Sequence, residues 1–353
     1  MAPSVQNPAT SDALDRWRHL MTLAALVKAL APWEFMDETQ NFAVQLPPPH
    51  EVGLVSVMGA SGEHFAVALY LGRRAIFDFW ALLADENGTE PEVVLEIDQL
   101  QLSWEDRALL DHRDRQLLAA LGVKPRGAHA WPMLRRYRAG YIPWFVHDDE
   151  IDLMITALEH LLIMAPRFQT AGAPLTPPPG QRYLLRYPAS PTLQPADWNE
   201  RVEGLRCDDW KISLVVDAER MRRVAALPTM EIDVELDVFA APMMKIDGIE
   251  DGVGQPYYPY MLLAADRVQG LIMGFQLVTA LDGLDHMWSQ VPAALADLLV
   301  QIACRPARIF VHRALLSKVL ASFCDNVEIE LRLVRNLKAV AAARRALAEF
   351  AAR

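Results

Sequence analysis

Apolar and polar positions alternate most clearly in the last third of the chain. EIDVELDVFA (231–240) sets Ile232, Val234, Leu236 and Val238 against acids, the period of two expected of a strand with one wet face. YMLLAAD (260–266) and GLIMGFQLV (270–278) are apolar runs joined by Arg267-Val268-Gln269-Gly270, which predicts a hairpin. Met287, Val291, Leu295, Leu298 and Ile302 recur at helical spacing across 285–303. RIFV (308–311) reads as a buried strand, and Leu315, Leu316, Val319, Leu320 and Phe323 mark the next helix. VEIELRLV (327–334) is a further strand and 336–351 an alanine-rich helix. The order over 231–353 is therefore βββαβαβα, and strands linked through helices imply parallel pairing in its later half.

The first half is α+β as well. Residues 12–30 predict an amphipathic helix behind a polar leader. NFAVQL, VGLVSVMG and HFAVALYLG are three strands separated by the turn formers PPPHE and ASGE. A helix follows with Ile76, Phe77, Trp80 and Leu83 on one face, then a strand at 93–104 and a charged helix closed by Gly122. WPMLRRYRAGYIPWF (131–145) reads as a long loop, and DDEIDLMITALEHLLIMA (148–165) as an amphipathic helix whose first acids complement its dipole. APRFQTAGAPLTPPPGQ continues neither period and predicts a linker. The expected organisation is a leader and helix (1–32), an α+β domain (33–165), a linker (166–181), a connecting subdomain attached to the C-terminal unit (182–230), and a C-terminal α/β domain (231–353).

Composition narrows the class. At 52% hydrophobic and 22% charged, the 353 residues suit an ordinary globular protein. A net charge of −11 disfavours general nucleic-acid binding, which needs clustered Lys and Arg, and points to protein partners. Cys207, Cys304 and Cys324 form neither a CxxC pair nor a disulfide framework, as expected in a reducing cytoplasm. No apolar run is long enough to span a membrane.

The C-terminal order resembles the ribonuclease H-like fold, and its layout looks like the core of retroviral-type integrases and transposases. That resemblance implies an Asp on the first strand (Asp233 or Asp237), an Asp before the hairpin (Asp266), an acid ending the fourth strand, and an acid on the last helix, where Glu349 is the sole candidate. The fourth strand instead ends IFVHR, so His312 stands where a carboxylate should hold magnesium. The resemblance supports the fold and argues against the nuclease. In addition, VGLVSVMGASGEHFAVALYLG, RRYRAGYIPWF and YYPYMLLAADRVQGLIMGFQL resemble a family of two-domain bacterial proteins without an assigned function. That family implies an architecture and no catalytic residue or cofactor.

Other candidate chemistry is sparse. MGASGEH (58–64) has two glycines but lacks the Lys and Ser/Thr of a phosphate loop, so a hairpin turn is the better reading. His147-Asp148-Asp149-Glu150 reads as helix capping, and the histidines show no ligand spacing, so no metal is assigned. The surface candidate is 131–145, where Arg135, Arg136 and Arg138 interleave with Trp131, Tyr137, Tyr141 and Trp144, residue types typical of binding hot spots. The alternative is aromatics buried under the domain and arginines paired to acids. Three functional readings follow. The first is a non-catalytic binding or regulatory module with a degenerate ribonuclease H-like domain. The second is a divergent metal-dependent nuclease or phosphotransferase using Asp237, Asp266 and Glu349, the sole reading that requires a cofactor, Mg²⁺. The third is a homo-oligomeric scaffold joined through its terminal helices.

Overall fold

The computed structural model describes residues 11–84, 91–171, 175–178, 180–190, 194–205, 212, 214, 217–241, 244–246 and 255–351. The polar leader, Cys207, Trp210 and the acidic glycine-rich stretch 247–254 lie outside them. The chain forms two compact units, one of residues 1–138 and 143–209, the other of 139–142 and 210–353. Among the described residues it is α+β, with eight α-helices and two mixed sheets.

The first unit contains α1 (Ser11–Leu30), β1 (Phe42–Gln45), β2 (Val52–Met58), β3 (Ala66–Leu71), α2 (Gly72–Leu83), β4 (Gln99–Glu105), α3 (His112–Ala120), β5 (Trp131–Tyr137), α4 (Asp148–Thr170), β6 (Arg182–Tyr187) and β7 (Asn199–Gly204). Its strands form one sheet in the order β5-β4-β3-β2-β1-β6-β7. All neighbours are antiparallel except β1 and β6. One face, with Val55, Val57, Leu69, Leu100 and Leu102, packs on α1 and α4 through Trp17, Leu20, Met154, Leu158 and Leu161. The other carries Leu54 and Tyr70 against Ile76, Phe79 and Trp80 of α2. A seven-stranded sheet covered on both sides explains the near-continuous burial of β2 and β3.

Several expectations change here. The buried face of α2 is Ala75, Ile76, Phe79 and Trp80, leaving Phe77 and Leu83 exposed. The strand expected at 93–104 begins at Gln99, after a 3-10 turn over Pro91–Glu96. The charged helix is split, because Asp111 caps a fresh start by accepting from the Arg113 amide. Its end was legible: Gly122 has φ +71°, and Val123 N donates to Leu118 O in a Schellman closure. The linker expectation is also corrected. α4 runs through Pro166 to Thr170, and β6 and β7 complete the first sheet, so residues 182–204 are not a subdomain of the C-terminal unit. α1 likewise belongs to the first unit's core.

The second unit contains α5 (Ala218–Ala225), β8 (Thr229–Ala240), β9 (Tyr260–Asp266), β10 (Ile272–Val278), α6 (Leu284–Gln301), β11 (Arg305–Val311), α7 (Ala314–Asn326), β12 (Glu330–Leu333) and α8 (Lys338–Ala351). The sheet order is β10-β9-β8-β11-β12, antiparallel from β10 to β8 and parallel from β8 to β12. α8 covers the face that carries Phe239, Met261, Leu263 and Phe310. Residues 139–142 join this unit through bonds from Ile142 N to Pro256 O and from Tyr258 N to Gly140 O. Gly140 has φ +82°, and a Cβ there would lie 2.9 Å from that of Ala280, so the close approach requires glycine. Among the described residues no helix is long and apolar enough to cross a membrane.

Candidate functional site

The acids of β8 were expected in water, yet Glu235 and Asp237 are each 1% exposed. They share the face of Phe239 that α8 covers. Asp237 Oδ1 accepts from Val238 N at 2.8 Å. His312 Nδ1 lies 3.7 Å from Asp237, Arg313 Nε 3.6 Å and Arg344 Nη1 3.8 Å. The parallel register continues Phe310↔Glu235 to His312 beside Asp237. Arg344 reaches in from α8 and lies 4.2 Å over the Phe239 ring. A buried carboxylate thus lies beside two arginines of its own fold.

The other two candidate acids do not join it. Asp266 pairs with Val234, and Asp237 pairs with Leu263. The three-residue offset puts Asp266 about 10 Å along the sheet and on its opposite face. Asp266 instead closes the hairpin, its Oδ1 accepting from Val268 N (2.8 Å) and Gln269 N (2.6 Å). Glu349 is exposed, five residues beyond Arg344 and therefore about 140° around α8. The trio of Asp237, Asp266 and Glu349 considered for the nuclease alternative is therefore not brought together: Asp237 is buried beneath α8, Asp266 closes a turn and Glu349 is exposed. Among the described residues no group of three or more His, Cys, Asp or Glu side chains is arranged to hold a metal ion.

The stretch 131–145 is not a loop either. Its first half is β5, an edge strand with alternating burial, and Arg136 bridges to Trp144 through paired backbone bonds. The alternation was hidden because one inward position is Arg136. Its Nε donates to Glu150 Oε1 at 2.7 Å, and it also pairs with Asp98 and donates to Gln99 O. Arg135 forks onto Asp114 at 2.8 and 2.5 Å and lies over Phe145, and Arg138 reaches Glu150 at 3.3 Å. Arg107 lies over Trp131, and Arg113 over Trp144. Tyr137 is partly buried, which raises its phenol pKa. Tyr141 belongs to the second unit, bridged to Tyr257. The arginines are thus paired to acids or stacked on rings within the fold.

Residues 17–186 match the family model of a domain of unknown function (DUF7309), and residues 220–348 match that of a second (DUF6930). The chain joins these two domains. No curated protein and no solved structure matches it. The first match ends inside β6 and the second begins inside α5, in keeping with a first sheet that extends past the proline-rich stretch.

The DUF7309 part holds a buried polar group absent from the sequence-level candidates. His160 of α4 is fully buried, its Nδ1 3.0 Å from Arg186 Nη1 and its ring 4.3 Å from that of Trp198. Arg186 donates, so Nδ1 accepts and the imidazole is neutral; its Nε2 has no hydrogen-bond partner among the described residues. Burial, with a smaller contribution from Arg186, pushes the His160 pKa down to about 3. The unfolded chain takes up this proton near pH 6.5 and the folded chain only near pH 3. Stability is therefore fully present above pH 6.5 and falls as the pH drops toward 3, by at most about 1.4 kcal/mol per pH unit. Urea melts from pH 7 to 4 should show this slope, and His160→Asn, which keeps an acceptor but cannot titrate there, should flatten it. An unchanged slope in the variant would remove His160 as the cause.

In the DUF6930 part, Cys304 and Cys324 are buried free thiols, and burial pushes Cys324 up to about 12 and raises Cys304. Neither has the lowered pKa of a nucleophile.

Proposed function

We propose that residues 229–351 form a ribonuclease H-like domain that has lost its metal site, and that the chain is a non-catalytic binding module. The strand order supports the fold: a central β8, an antiparallel hairpin on one side and two parallel, helix-linked strands on the other. The observation that carries the loss of catalysis is Asp237 held by His312, Arg313 and Arg344. A two-metal site needs carboxylate oxygens converging on hard cations, and here the Asp237 carboxylate faces two arginines of the protein.

The partner this reading favours is a protein. A net charge of −11 opposes a phosphate backbone, and Arg135, Arg136 and Arg138 are already engaged with Asp114, Glu150 and Asp98. Calorimetric titration of Mg²⁺ and Mn²⁺ into the full chain should give no saturable heat, and incubation with either metal should leave DNA and RNA uncut. Saturable binding that Asp237→Asn abolishes would overturn the proposal in favour of the nuclease.

A further inference from the structure

Among the described residues the two sheets present four edges, and three carry the usual defences against pairing with another strand. β5 contains Pro132, Arg135 and Arg136, and its outer side is bridged by Trp144. β7 alternates charges through Glu200, Arg201 and Glu203. β12 is four residues long and carries Glu330 and Arg332. Charges, proline and brevity are what keep sheet edges from associating.

The fourth edge, β10, is different. From Leu271 to Leu281 the chain has no charged residue and no proline. Among the described residues β10 pairs with β9 alone. A bulge interrupts the register between Ile272 and Gly274, but Gly274–Val278 is regular. Cross-strand partners place Ile272, Phe275 and Leu277 opposite Ala265, Leu263 and Met261, on the α8 face of the sheet. On that face they are 47%, 48% and 43% exposed. Gly274 and Gln276 point the other way, onto α6, where a Cβ at 274 would touch Leu298 and Gln276 bonds Gln301.

An occupant of this edge must supply backbone donors and acceptors in strand geometry and an apolar, uncharged face. We propose that it is β10 of a second copy of this chain, paired antiparallel about a two-fold axis at Gln276. Residues directly opposite in an antiparallel ladder share a face. This register therefore sets Phe275 against Leu277 of the copy twice, and Gly274 against Val278 twice. Every pair is free of charge repulsion, so the strand is complementary to itself. The two five-stranded sheets then become one continuous sheet. A single edge is small beside a standard protein interface, so the dimer is a weak, concentration-dependent one.

Sedimentation of the full chain should show the mass doubling as concentration rises, and Phe275→Lys should return it to the monomer without changing its circular dichroism. Gln276→Cys gives a test that does not depend on disrupting the strand. Opposed Cα atoms in such a ladder are about 4.5–5.5 Å apart, within disulfide range. Treatment with the oxidant diamide should yield a covalent dimer for Gln276→Cys and not for Leu333→Cys at the opposite edge of the same sheet. A monomer at every concentration, with no Gln276→Cys cross-link, overturns the proposal and leaves an extended segment of another protein as the occupant. A dimer that survives Phe275→Lys and does not cross-link at 276 also overturns it, by placing the interface elsewhere.

Discussion

Glu235→Ala is expected to destabilise the second unit by about 3–5 kcal/mol, the scale for removing one partner from a buried charged network. Glu235 rises from the central strand β8 and is 1% exposed. Its Oε2 accepts from Ala339 N at 2.7 Å and Val340 N at 3.2 Å, two first-turn amides of α8. Its Oε1 accepts from Arg267 at 3.1 Å, and that guanidinium lies 4.2 Å over the Phe310 ring. One carboxylate therefore caps a helix, complements its dipole and anchors the β9–β10 hairpin. Alanine leaves the two amides buried without their acceptor. Glu235→Gln keeps an acceptor and loses the charge, so it should fall between the alanine variant and wild type. Chemical unfolding gives the magnitude, and hydrogen exchange should show the first turn of α8 losing protection first. A loss below about 1 kcal/mol, with α8 still protected, would mean that the capping bonds are replaceable.

The same residue shows where reading the sequence succeeds and where it stops. The eight elements from β8 to α8 were legible because their apolar positions keep a clean period of two or 3.6 and are separated by Gly, Asn or charged turns. The pattern did not say which face of β8 is wet. Acids alternating with Val and Leu normally face water, and here α8 brings its N-terminus and Arg344 onto them. The pairing of β1 with β6 was likewise hidden, since a parallel contact between distant strands leaves no local mark. The stretch from Trp131 to Phe145 failed for a related reason. Strand periodicity assumes that the inward side chain is apolar, and Arg136 meets that position with a buried ion pair. The separation of Asp237 from Asp266 depends on strand register, which a one-residue shift would alter and no local pattern announces.

That ion pair carries the second large effect. Arg136 and Glu150 are both buried, joined at 2.7 Å between β5 and the first turn of α4. Glu150 Oε2 also accepts from His147 N at 2.8 Å, closing the start of the helix, and Arg136 Nη1 donates to Tyr137 O at 2.6 Å. Glu150→Leu leaves a guanidinium in the core with a half-exposed Asp98 as its remaining carboxylate, and should cost about 3–5 kcal/mol. Arg136→Met strands Glu150 with the partly exposed Arg138 and should cost about as much. The double variant has neither stranded charge and fills the site with apolar groups of similar length. It should therefore be more stable than the sum of the two single losses predicts, by at least about 1.5 kcal/mol in a double-mutant cycle. Simple additivity would mean that each side chain is stabilised by its other contacts, Arg136 by Asp98 and Glu150 by the His147 amide. The pair would then be a by-product of two separate anchors.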